Sequence, residues 1–117
     1  MTILRTPISR QELLRIAEQS LGDLVKAVVD IEKKIMGVGG DLHSDEEALL
    51  LDAGSRQQDL WGINLYPVLE GDAMIEFDSM INLRPSQGNR SRGVESDAIR
   101  RRIVEVVNFL IRNESDE

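Results

Sequence analysis

Apolar residues recur along the chain with two different periods, and the switches between them mark the elements. Leu13, Leu14, Ala17 and Leu21 return at helical spacing with Ile16 beside them, as one buried helix face requires. Ser9 and Glu12 form a capping box ahead of this run, Ile8 and Leu13 occupy the positions of a hydrophobic staple, and Gly22 supplies a left-handed stop. The spacing predicts a helix over residues 10–21. From Val25 the period drops to two, with Val25, Ala27, Val29 and Ile31 on one face and Lys26 and Asp30 on the other, which predicts a half-buried strand. Beyond the polar Glu32 to Lys34, the run Ile35 to Val38 reads as the returning strand of a hairpin that ends at Gly39 and Gly40.

The same alternation repeats in the second half. Ser44 and Glu47 form a second capping box ahead of Ala48 to Leu51, and Gly54 closes that short acidic helix. Trp61, Ile63 and Leu65 alternate before Pro67; Ile75, Phe77, Ile81 and Leu83 alternate after the turn around Gly71, with Ser79 interrupting the apolar face. A loop over residues 85–95 leads to Ser96, an N-cap for a last helix whose apolar face is Ile99, Ile103, Val106, Val107, Leu110 and Ile111. The order αββαββα predicts an α+β domain over residues 1–112, a four-stranded, mainly antiparallel sheet with helices on one face. Residues 113–117 are expected to be a frayed acidic tail.

Composition narrows this picture. A chain of 117 residues fits one core, and with only Trp61, Tyr66, Phe77 and Phe109 aromatic, aliphatic side chains must fill it. The absence of cysteine removes disulfides, thiolate ligands and cysteine nucleophiles together and fits a reducing compartment. No apolar run approaches the roughly 20 residues of a membrane helix, and the first residues lack the apolar core of a secretory signal. A soluble cytoplasmic protein with no membrane partner is expected. The net charge of -7 speaks against general nucleic-acid binding. The charge is unevenly spread, with 7 bases against 15 acids in residues 1–83 and 7 bases, all arginine, against 3 acids in residues 84–112.

The strings DLWGIN, Asp59 to Asn64, and FDSMINLRPSQGNRSR, Phe77 to Arg92, resemble an uncharacterised bacterial family known as a domain of unknown function. The resemblance runs from about Pro7 into the last helix. It implies a single-domain protein; the family carries no assigned activity, so it transfers no catalytic residue.

Three sets of residues carry chemistry. The loop from Arg84 to Gly93 joins a strand to a helix N-terminus, where free N–H groups and the positive helix end favour an anion. Arg84, Asn89, Arg90 and Arg92 are its candidate ligand residues, with Gly88 and Gly93 free to open a backbone nest. The spacing matches neither a Walker loop nor a dinucleotide fingerprint, and no cofactor is implied. The same arginines also suit Asp78 or Asp59 as structural partners. His43 is the only histidine, hence the only imidazole candidate for a general base, with Asp41, Asp45 and Glu47 close in sequence. With no second histidine and no cysteine, no metal site is predicted. Third, Asn64 and Tyr66 on one strand, and Glu76, Asp78, Asn82 and Arg84 on the next, place polar side chains on one sheet face. The run Arg100 to Arg102 is no stripe, since successive helical residues fan out by about 100°. The reading is a small domain that binds a phosphate- or carboxylate-bearing small molecule at the arginine loop; the alternative is a non-enzymatic interaction module or homodimer. No reaction is identified.

Overall fold

The computed structural model describes residues 1–113. Strands β1 (Thr2–Leu4), β3 (Val25–Asp30), β4 (Ile35–Val38), β5 (Leu60–Leu65) and β6 (Ile75–Glu76) form a sheet in the order β1-β4-β3-β5-β6. Every pairing in it is antiparallel. A second, two-stranded parallel sheet joins β2 (Ile8–Ser9) to β7 (Ile111–Arg112). The helices are α1 (Arg10–Gln19), α2 (His43–Asp52) and α3 (Asp97–Leu110). The α+β class and the antiparallel pairing agree with the sequence.

The first helix forms as its caps dictate. Ser9 Oγ accepts from the Glu12 N–H, and Gly22, at φ +99°, lets its N–H return to the Ala17 carbonyl at 2.7 Å. Leu13 and Ala17 of α1 and Ile103, Val106, Val107 and Leu110 of α3 pack on Val25, Ala27, Val29, Trp61, Ile63 and Leu65. This is the main core, and most of its helix positions are those the sequence predicts; Leu21, however, lies beyond the end of α1 and is exposed, and Ile111 belongs to β7.

Five expectations need correction. The sheet has five strands, because Thr2 to Leu4 pairs with Val38 to Met36. The helices lie on both faces, since Leu50 of α2 packs with Val28, Ile35 and Leu60 on the side opposite α1 and α3. The strand β3 is therefore buried on both faces, and Asp30, predicted to be wet, is fully buried. Its carboxylate accepts from the Glu32 and Lys33 N–H groups and from Ser55 Oγ, which replace water. The segment after Ile75 is a strand for two residues only; from Ser79 the backbone bonds to Arg92 and then enters a short 3-10 turn, Met80–Asn82. Lastly, Ser44 does not cap α2: the helix begins at His43, and its N-cap is Leu42, which has no side-chain acceptor.

Asn113 Oδ1 accepts from Arg10; the rest of the expected tail, residues 114–117, lies outside the described residues. Among the described residues, no helix is long and apolar enough to cross a membrane.

Candidate functional site

The approach of α2 to the sheet is set by glycines. Gly37 and Gly40 lie against Glu46, so a Cβ on Gly40 would fall 3.0 Å from Glu46 Cγ. The Gly40 N–H donates to Glu46 Oε2 at 2.9 Å. Burial, opposed by that hydrogen bond and by Lys26, pushes the Glu46 carboxyl up to about 9. Held this close, the helix turns His43, Glu46 and Leu50 inward.

His43 is buried, and its Nε2 lies 2.7 Å from the Ile63 carbonyl. A carbonyl only accepts, so Nε2 carries the proton and Nδ1 is left as an acceptor with no protein partner among the described residues. Burial lowers the imidazole pKa, the Ile63 bond opposes it, and Lys26 lowers it further; the ring is neutral near pH 7.

Around this first turn of α2 is a cleft of about 340 Å³, walled by Lys26, Ser44, Asn64, Asp78, Ser79 and Arg92 beside His43, with Leu42 and Met80 at its rim. The sheet register builds its floor. Lys26 of β3 stands opposite Asn64 of β5, which stands opposite Glu76 of β6. The Asn64 Nδ2 donates to Glu76 Oε1 at 2.8 Å and more weakly to the Asp78 carbonyl at 3.4 Å, while Oδ1 is buried with no donor. Arg92 enters from the arginine loop and donates through Nε to Asp78 Oδ1 at 2.7 Å. The N–H groups of His43 and Ser44, uncapped, add the positive end of the helix.

The other loop candidates face elsewhere. Arg84 lies over the Trp61 ring, 4.1 Å from its centroid, and donates to the carbonyls of Gln57 and Leu60. Asn89 is buried and satisfies the carbonyls of Asn82, Ser91 and Gly93 while accepting from the Glu95 N–H. Arg90 is exposed and donates through its backbone to Glu95. The four therefore do not meet at one point, and Arg92 alone reaches the cleft of His43. Asn82 fixes it there: its Nδ2 donates to the carbonyls of Arg92 and Gly62, both at 3.0 Å, and its Oδ1 accepts from the Gly62 N–H at 2.8 Å. A glycine is required at 62, because a Cβ there would lie 2.5 Å from Ser79 Cβ.

Lys26 and Ser44 were not among the sequence candidates. Lys26 was placed on the polar face of its strand, but that face reads as solvent until the β3–β5 register sets it against Asn64. Asp41, Asp45 and Glu47 do not hydrogen-bond the ring, and no group of three or more metal-ligating side chains forms among the described residues.

A family model described as a protein of unknown function (DUF5674) matches residues 2–110. The chain belongs to that family. It matches no curated protein and no solved structure. The family match runs from β1 through α3 and so takes in every residue of the cleft. What the cleft offers chemically is Lys26, an Arg92 guanidinium engaged through Nε with Asp78, two uncapped helix N–H groups and a hydroxyl as donors, set beside a neutral imidazole whose tautomer is fixed.

Proposed function

We propose that this domain binds a small molecule bearing a phosphate or carboxylate, and that the anion sits in the cleft at the start of α2 rather than along the whole arginine loop. The observation that carries the reading is the entry of Arg92 into the same cleft as Lys26 and the uncapped first turn of α2. An anion there would meet charge from three independent elements. Asn82 and Ser79 hold the Arg92 backbone in place before any ligand arrives, which lowers the ordering cost of binding. Arg84 and Asn89 act in this reading as the pins that shape the loop.

Titration with inorganic phosphate, followed by amide NMR, tests it. The signals of His43, Ser44 and Arg92 should move together, and Arg92→Lys should weaken binding by about tenfold, because a point charge loses the guanidinium fork. Shifts confined to Arg90, or an unchanged affinity in the variant, would overturn the assignment. Shifts that follow protein concentration instead of phosphate would favour the interaction-module reading.

A further inference from the structure

The wall of the cleft holds an acceptor that a fully ionised anion cannot satisfy. His43 lines the cleft at 8% exposure, and its Nδ1 has no donor among the described residues; Asn64 Oδ1 also lacks a donor but is itself fully buried, out of a ligand's reach. An acceptor so enclosed and fixed as unprotonated calls for a donor from whatever fills the cleft. A fully ionised phosphate monoester or carboxylate brings only more acceptors, so it pairs with Lys26 and Arg92 and leaves Nδ1 as it is. A hydroxyl supplies a donor without charge.

We propose that the ligand is a hydroxylated anion: a small polyol phosphate or hydroxy-carboxylate whose anionic group meets Arg92 and Lys26 while a neighbouring hydroxyl donates to His43 Nδ1. This rests on the anion seat proposed above and specifies its occupant. The volume of about 340 Å³ suits a molecule of that size. Leu42 and Met80, 56% and 63% exposed at the rim, offer apolar surface to the carbon chain of a polyol. The fixed tautomer of His43 completes the match, since a ring held by Nε2–H to Ile63 presents Nδ1 only as an acceptor.

Glycerol 3-phosphate and n-propyl phosphate carry the same anion on three-carbon chains and differ in their hydroxyls. Binding of each to the unmodified chain, measured by NMR at pH 7.5 with the His43 imidazole nitrogens observed directly, separates the possibilities. Glycerol 3-phosphate should bind about tenfold more tightly, the equivalent of one hydrogen bond to a buried acceptor, and should shift the Nδ1 resonance where n-propyl phosphate does not. Equal affinities with Nδ1 unmoved would overturn the hydroxyl requirement while leaving the anion seat standing. Failure of both phosphates to bind would defeat the anion seat, and this proposal with it. His43→Phe gives a second reading: the preference for glycerol 3-phosphate should disappear while n-propyl phosphate still binds, whereas a preference that persists would count against the proposal.

Discussion

On the side of α1 and α3, the sheet meets leucine, isoleucine and valine from end to end, and the helices contribute no buried charged group. On the side of α2 the same strands meet a cluster of only four buried apolar residues, and His43, Glu46, Lys26 and Asn64 occupy the rest of the interface. The difference is one of energetics as well as composition. Apolar burial stabilises at about 25 cal/mol per Å² whatever the shape of the ligand, whereas a buried carboxyl and imidazole cost stability and are found where chemistry needs them. The first face holds the domain together; the second gives up apolar burial to polar and titratable side chains.

The largest effect should come from breaking the apolar face. Leu110→Ala removes a fully buried side chain from α3 and should cost about 2–5 kcal/mol in urea denaturation. A loss below about 0.5 kcal/mol would mean that α3 is not seated as described.

Glu46 sharpens the contrast from the other side. Its carboxyl is raised from 4.5 to about 9, so the folded state retains a proton that the unfolded chain releases. Its contribution to stability is full below pH 4.5 and is lost as the pH rises toward 9. Glu46→Gln, neutral at every pH, should therefore match the parent at pH 4 and exceed it by about 1–3 kcal/mol near pH 7. Thermal melts across that range check it; a variant less stable than the parent at pH 8 would show that Glu46 is ionised in the fold. His43 runs the opposite way, since its lowered pKa removes stability as the pH falls below 6.5.

The smallest effect lies outside both faces. Arg102 and Glu32 pair at 3.0 Å with side chains 47% and 68% exposed, and a double-mutant cycle should return less than about 1 kcal/mol. A larger coupling would give the surface a share in stability that the contrast between the two faces denies it.

What could be read in advance follows the range of the interaction. The helix α1 and the hairpin of β3 and β4 are written in neighbouring residues: a serine with its partner three positions on, a change of period, a pair of glycines. The second face is not. Asp30 looks like a solvent residue until Ser55 and the turn N–H groups supply its donors, and β1 has no sign of being a strand until Val38 pairs with it. The strand expected to run through Ile81 stops early because Ser79 gives its N–H to Arg92. For the site, His43 and Arg92 were each recognisable as chemistry, but their meeting depends on register. Arg84 and Asn89 have the polarity of ligand residues for another reason: a loop folded on itself must find donors for its own carbonyls, and they supply them.

Asn82 sits in a 3-10 turn, yet its carboxamide faces Gly62 as a peptide group of a neighbouring strand would, giving one hydrogen bond and taking another. A side chain thus stands in for the missing end of β6. Asn82 thereby ties the wall of the cleft to β5, so the two should open in one event. In hydrogen exchange, the Gly62 amide, though buried, should keep time with the turn that holds Arg92 and so report the opening of the cleft from within β5.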